Sequence, residues 1–212
     1  MKIGVLASGG GTNLQSLLDT AARGELGPAR VVVVGANVAG CGALTRAEQA
    51  GVPSFVLDHK AFATRAAFDA ALLERLRAAG VELVVLAGFM RLLTGDFLRA
   101  FPQRVVNIHP ALLPAFAGVH AQKQAFAYGV KVAGCTVHFV DEGTDTGPVI
   151  AQAVVPVLDA DDEDSLRLRI LAEEHRLLPA VVRALGEGRV RVEGRRVRIT
   201  GAPAAAAPLR SL

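Results

Sequence analysis

The chain has 212 residues, of which 51% are hydrophobic and 20% charged, and its formal net charge is +3. This is enough apolar material for one packed α/β domain, and it excludes an intrinsically disordered chain. The apolar runs are far shorter than the roughly 18 residues that span a bilayer, and the N-terminus lacks the apolar core of a secretory signal, so we expect a cytoplasmic protein with no membrane partner.

Runs rich in Val and Ile alternate with segments of helical periodicity in the first half of the chain. The runs predict buried strands at Ile3–Ala7, Val31–Ala36, Pro53–Leu57, Leu83–Ala87 and Val105–Ile108. Thr12–Gln15 has capping-box spacing before leucines at helical intervals, and a later helix is predicted from about Ala61 to Ala79. This alternation, with short connections, predicts a mostly parallel, doubly wound sheet with helices on both faces.

The pattern changes in the C-terminal half. Two further strands, Val132–Val140 and Val149–Val157, are separated by Asp141–Pro148, which is too short for a crossover helix, so we expect an antiparallel pair. A long helix follows, and then a small hairpin formed by Val190–Glu193 and Val197–Thr200. We expect one domain over residues 1–200 and a flexible tail over residues 201–212.

Cysteines and C-terminal arginines carry little functional information. Cys41 and Cys135 are far apart and lack metal-ligand spacing, which favours buried free thiols and no metal. The chain ends in an arginine-rich region, which could form a nucleic-acid patch or the solvated face of a hairpin. No aromatic residues are interspersed among the arginines, so we favour the second interpretation and expect no nucleic-acid partner.

Three segments reach the carboxyl edge of the predicted sheet, where doubly wound folds bind ligands. Ser8–Asn13 consists of small residues that lead into a helix, and the free amides at such a helix start can bind an anion. A tight turn explains the same residues equally well. Asn107 and His109 lie two residues apart at a strand end and share one side, where two donors could stabilise an oxyanion. The acidic loop Asp141–Pro148 could place a carboxylate beside His109, which would stabilise its protonated ring. His120 and His138 are weaker candidates that we interpret as structural.

Several motifs resemble the 10-formyltetrahydrofolate-dependent formyltransferase superfamily. They comprise the Asn107-x-His109-Pro110 segment with the Leu-Leu-Pro that follows, Phe116-x-Gly118, the Gly134–Val140 strand and Asp145-x-Gly147-Pro148. Within that group, Ser8–Leu14 and Leu86–Arg91 are similar to the branch that formylates glycinamide ribonucleotide in purine synthesis. The likeness extends from Lys2 to about Glu187 and departs from the family at Ala111, Thr144 and Leu171.

The resemblance implies a direct, non-covalent formyl transfer from 10-formyltetrahydrofolate, as co-substrate, to the amine of glycinamide ribonucleotide. Asn107, His109 and Asp145 are the implied catalytic residues, and Glu174 binds the ribose while the phosphate lies on Gly11, Thr12 and Asn13. The implied folate-binding residues are Arg65, Met90, Arg91, Leu92, Leu93, Asn107, Asp141, Glu142, Gly143, Thr144 and Asp145. A mobile segment over Ala111–Val130 and a cis peptide at Leu113–Pro114 are also implied, and the protein could be a monomer or a homodimer.

Two other classes remain open from the residues alone. A Rossmann oxidoreductase would need a third glycine near Leu14 and an acidic residue ending the second strand, where the chain has Asn37. A non-catalytic ligand-binding domain would leave Asn107, His109 and Asp145 without a common explanation.

Overall fold

The computed structural model describes residues 1–201, and its centre is a seven-stranded sheet in the order β3-β2-β1-β4-β5-β6-β7. The strands are β1 (Lys2–Ala7), β2 (Arg30–Ala36), β3 (Ser54–Val56), β4 (Leu83–Leu86), β5 (Val105–His109), β6 (Val132–Phe139) and β7 (Val149–Pro156). The first five strands pair in parallel, and β6 and β7 are antiparallel. A separate hairpin is formed by β8 (Val190–Glu193) and β9 (Arg196–Ile199). The predicted fold class is confirmed.

Helices cover both faces of the sheet, so the central strands are buried on each side. The helices are α1 (Thr12–Ala22), α2 (Gly42–Gln49), α3 (Arg65–Ala78), α4 (Gly95–Ala100), α5 (Ala121–Tyr128) and α6 (Glu163–Gly186). Along β1, Val5 packs with residues of α1 and α6, whereas Leu6 packs with residues of α3 and α4. Because successive residues of a strand are buried on opposite faces, the strand sequences are continuous apolar runs. None of the helices within residues 1–201 is long and apolar enough to cross a membrane.

Three expectations about helices are corrected by the structure. The N-cap of α1 is Gly11, with φ 71° and no side-chain cap, so Thr12–Gln15 is not a capping box. The helix α3 begins at Arg65 rather than near Ala61, because the side chain of Thr64 accepts a hydrogen bond from the Ala67 amide and sets the start there. A short 3₁₀ turn, His59–Ala61, precedes it.

The segment Ala111–Val130, expected to be a mobile loop, is helical over α5. The peptide bond between Leu113 and Pro114 is cis, as the resemblance implied. The mobility of the rest of this segment stays a prediction. The tail predicted over residues 201–212 lies, after Gly201, outside the described residues.

Both cysteines are free and buried, as predicted. Burial, together with the charge of the nearby Glu174 carboxyl, raises the pKa of the Cys135 thiol to about 12. A thiol with such a pKa is not nucleophilic at neutral pH, which agrees with a structural role.

Candidate active site

Asn107 and His109 occupy alternate positions of β5 and therefore project to the same side of the sheet. The antiparallel register with β6 places Asn107 opposite His138, and His109 opposite Thr136. His109 is buried and Asn107 is half-buried, so both side chains lie in a largely desolvated position. The end of β5 thus supplies two hydrogen-bonding groups at one point on the carboxyl edge of the sheet.

Asp145 reaches both of these residues from the loop between β6 and β7. Its Oδ2 is 3.4 Å from His109 Nδ1, and its Oδ1 accepts a hydrogen bond from Asn107 Nδ2 at 3.4 Å. The side chain of Asp145 is only 13% exposed, so this carboxylate interacts with the histidine away from bulk water. The three residues predicted as catalytic therefore lie in one cluster.

His138 belongs to the same cluster, although the sequence suggested a structural role. Its Nδ1 is 2.9 Å from the carbonyl oxygen of Phe139, and its Nε2 is 3.1 Å from Asn107 Nδ2. A neutral ring with the proton on Nδ1 satisfies both contacts, since Nδ1–H donates to the carbonyl and Nε2 accepts from the amide. His138 thereby orients Asn107. The signal that could have found it is the β5–β6 register, which periodicity alone does not provide.

The loop Asp141–Pro148 is held tightly on both sides of Asp145. Asp141 Oδ1 accepts hydrogen bonds from the Gly143 amide at 3.1 Å and from Thr146 Oγ at 2.6 Å. On the other side, Arg195 of the β8–β9 hairpin donates to the Thr146 carbonyl at 2.9 Å. These bonds support the left-handed backbone of Asp145, whose φ is 55° and which a non-glycine residue adopts at a cost.

The surroundings of Asp145 favour its ionised form. Burial by itself raises the pKa of this carboxyl, but the neighbouring His138 ring, a hydrogen bond from the Gly118 amide and the charge of His109 outweigh it, and the pKa falls below its ordinary value. The Gly118 bond to Oδ2 measures 2.8 Å. His109 Nε2 lies 2.9 Å from the Phe116 carbonyl, so both ring nitrogens of His109 face oxygen acceptors. A doubly protonated His109 satisfies both acceptors.

The glycine-rich loop lies between β1 and α1. A Cβ at Gly11 would lie 2.6 Å from the Cα of Ala43, so only glycine fits against the start of α2. The positive φ of Gly11 requires the same residue. Because Gly11 provides no side-chain cap, the first-turn amides of α1 are open to an external acceptor. This arrangement suits an anion.

Glu174 lies beneath this loop and is only 5% exposed. Its Oε2 accepts a hydrogen bond from Asn13 Nδ2 at 2.6 Å. Burial raises the pKa of Glu174, and the bond from Asn13 offsets part of that effect. The predicted phosphate-binding and ribose-binding residues are thus neighbours.

Most of the predicted folate-binding residues lie in two segments, Met90–Leu93 between β4 and α4 and Asp141–Asp145 between β6 and β7. Met90 is 66% and Leu92 is 55% exposed, whereas Leu93 is buried, so two apolar side chains face outward beside the site. Arg65 is exposed at the start of α3. Glu142 lies against Gly95, which brings the Asp141–Asp145 segment next to Met90–Leu93. Within residues 1–201, no group of three or more His, Cys, Asp or Glu side chains is arranged to hold a metal ion.

Comparison with known proteins identifies this architecture. Residues 1–182 match the formyl transferase family. The chain belongs to that family. A formyl transferase resembling this chain is the phosphoribosylglycinamide formyltransferase of Mycobacterium tuberculosis, 53% identical over 191 residues, which cover 90% of this chain and 87% of the relative. The family assignment decides against a Rossmann oxidoreductase and against a non-catalytic ligand-binding domain.

Two further comparisons agree with this family assignment. The trifunctional purine biosynthetic protein adenosine-3 of Drosophila melanogaster is 52% identical over 188 residues, and this match spans 88% of our chain but about 14% of the insect protein. Among solved structures, glycinamide ribonucleotide transformylase 1 of Symbiobacterium toebii is 58% identical with a TM-score of 0.91, and the match covers 94% of this chain and 93% of that one.

Proposed function

We propose that the protein transfers the formyl group of 10-formyltetrahydrofolate to the amine of glycinamide ribonucleotide, in de novo purine synthesis. The observation that carries the proposal is the cluster of Asn107, His109 and Asp145 at the carboxyl edge of the sheet. Membership of the formyl transferase family and the names of the most similar relatives support the same substrates.

In the proposed reaction the substrate amine attacks the formyl carbon directly. The carbonyl oxygen becomes a tetrahedral oxyanion, and hydrogen bonds from His109 Nε2–H and the Asn107 amide stabilise it. Such preorganised donors act strongly in a dry site, where removing one typically costs about 10²–10³-fold in kcat. In the present structure His109 Nε2–H donates to the Phe116 carbonyl, and the two N–H groups of Asn107 face His138 and Asp145, so the formyl oxygen must replace one acceptor of each residue.

Protons balance across the transfer. The attacking amine loses a proton as its nitrogen forms the amide, and N10 of the folate gains one as the carbon–nitrogen bond to it breaks. Asp145, ionised and beside His109, orients the imidazole ring and accepts and passes on the proton, with water as a carrier. No covalent enzyme intermediate is involved.

Each substrate has a proposed place beside the cluster. The phosphate lies on the amides of Gly11, Thr12 and Asn13, and Glu174 binds the ribose hydroxyls. The folate lies among Arg65, Met90–Leu93 and Asp141–Asp145, where the exposed Met90 and Leu92 provide apolar contact. We also propose a cytoplasmic protein, monomeric or homodimeric, that acts on these two small molecules without a metal.

A spectroscopic assay tests the proposal. Purified protein is mixed with 10-formyl-5,8-dideazafolate, and absorbance of the deformylated product is followed with and without glycinamide ribonucleotide. We expect turnover that depends on both compounds. Release of formate without the ribonucleotide would identify a hydrolase instead, and absence of any reaction would refute the proposed function.

A further inference from the structure

The side chain of Arg46 crosses from α2 to the glycine-rich loop. Its Nε donates to the Gly10 carbonyl at 2.8 Å, and its Nη1 donates to Gln15 Oε1 at 2.9 Å. These two bonds hold the planar guanidinium in one orientation between the loop and the first turn of α1. The group is therefore preorganised before any ligand binds.

Arg46 carries a positive charge that the described part of the chain does not neutralise by direct pairing. Among residues 1–201 no carboxylate lies within ion-pair distance of Arg46, and its Nη2 makes no hydrogen bond. The side chain is half-buried, so solvent screens this charge less than on an open surface. Other arginines near α1 are different, since Arg23 pairs with Glu25 at 2.8 Å.

A cavity of about 400 Å³ opens beside this guanidinium along α1. Thr12 and His175 also line it, as does one carboxylate, Asp19, which accepts a hydrogen bond from Gln15 at 2.7 Å. His175 Nε2 is buried there and has no hydrogen-bond partner among the described residues. This nitrogen is inaccessible from the cavity, so the ring contributes to the wall by packing.

The pKa of His175 lies below its ordinary value, because burial and the charge of Arg46 both disfavour the imidazolium. His175 is consequently neutral near pH 7 and adds no second positive charge beside Arg46. Arg46 is thus the fixed cation next to the open amides at the start of α1.

We propose that Arg46 binds the phosphate of the nucleotide substrate with its free guanidinium N–H groups, next to the Gly11–Asn13 amides. This inference rests on the proposed function for the identity of the nucleotide. Anion recognition by Arg46 depends only on the geometry described above. Hydrogen bonds between charged groups are the strongest that a site of this kind can make.

Isothermal titration calorimetry of the full-length protein tests the proposal with three ligands: glycinamide ribonucleotide, its riboside without phosphate, and inorganic phosphate. Arg46→Ala should weaken binding of the ribonucleotide and of phosphate by about 10- to 100-fold and leave the riboside unchanged. Arg46→Lys should restore part of the phosphate affinity.

Arg30→Ala is the matched control, because Arg30 is an exposed arginine at the amino end of β2, away from the site, and its removal changes the net charge equally. We expect it to bind all three ligands as the parent does. Thermal melting establishes that each variant is folded.

Equal weakening of riboside and ribonucleotide by Arg46→Ala would overturn the proposal, since it would show that Arg46 only braces the loop through Gly10. Unchanged phosphate affinity would overturn it as well. If the parent protein binds inorganic phosphate through Arg46 but neither glycinamide compound, the proposed function fails while the phosphate site stands.

Discussion

The side chains of the active-site cluster contact one another, and these contacts determine their chemistry. Asp145 accepts hydrogen bonds from Asn107 and from the Gly118 amide and lies next to His109. His109 in turn faces Phe116 on its other nitrogen. A carboxylate in this position orients the ring and places a negative charge beside it, so its charge matters as well as its shape.

Replacing Asp145 with Asn keeps the size of the side chain and removes the charge. We expect kcat to fall by about 10²–10⁴-fold, because a general acid–base contribution is lost, with little change in the affinity for glycinamide ribonucleotide. Steady-state kinetics and calorimetry measure the two quantities. Asp159→Asn, at an exposed aspartate in the turn after β7, is the control. Full turnover by the Asp145 variant would contradict its proposed role.

Glu174 illustrates a conflict between stability and function. Its raised pKa means that the folded state prefers the protonated carboxyl. Ionisation of Glu174 therefore destabilises the fold as the pH rises above 4.5, the ordinary pKa of this group. Glu174→Gln keeps an acceptor for Asn13 and removes this cost. We expect the variant to have a higher Tm than the parent protein at pH 7–8. This difference in Tm should disappear below about pH 4.5, the ordinary pKa of a glutamate carboxyl.

The same variant should bind the nucleotide about tenfold more weakly, because a charged hydrogen-bond acceptor is lost. Glu173→Gln, at the neighbouring carboxylate that pairs with Arg176, serves as the control and should show neither effect. A Tm gain that is independent of pH would argue against ionisation of Glu174 as its cause.

At the scale of elements, the loop between β1 and α1 is shaped by its contact with α2. The amide of Ala43 donates to the Gly9 carbonyl at 3.1 Å, and Gly11 packs directly against the Ala43 backbone. The path of the loop, and with it the direction of the open amides, therefore depends on two helices. A side chain at Gly11 must displace one of them.

Gly11→Ala should therefore lower stability by at least the roughly 1–2 kcal/mol that a left-handed alanine costs, and should raise the KM for the ribonucleotide more than that for the folate. Gly10→Ala is the matched control, because a Cβ there meets nothing within 4 Å. Denaturant unfolding and steady-state kinetics measure the effects. Equal behaviour of the two variants would show that packing against Ala43 does not determine the shape of the loop.

At the scale of the whole molecule, the central strands are buried on both faces, whereas other parts of the chain have little support. β1 and β4 contribute to both core clusters. In contrast, the segment 113–120 includes two non-glycine residues with positive φ, Phe116 and His120, and lies mostly outside the core. Local opening is expected where few buried contacts hold the backbone.

Hydrogen–deuterium exchange should resolve this difference. We expect the amides of β1 and β4 to exchange slowest and those of residues 113–120 to exchange within seconds, with α5 between the two. Binding of both substrates should slow exchange in 113–120, since the proposed reaction takes place beside Phe116. Protection of 113–120 equal to that of β4 in the free protein would contradict the expected mobility.

Much of the fold was predictable because local pattern and burial agree. The strands of the parallel sheet are continuous apolar runs since both faces are covered, and strand–helix alternation is a local property of the chain. Helix starts were less predictable. The N-cap of α1 and the start of α3 depend on Gly11 meeting Ala43 and on the side chain of Thr64, neither of which periodicity detects.

The sequence by itself determined the fold class, the placement of Asn107 and His109 on one side of a strand end, and the likeness to formyltransferases, because these follow from spacing along the chain. Tertiary structure alone decided the rest. The β5–β6 register brought His138 to Asn107, the bond from Arg195 to the Thr146 carbonyl supported the loop of Asp145, and α2 placed Arg46 at Gly10. Such contacts join residues distant in sequence, and their geometry depends on how the helices and strands pack.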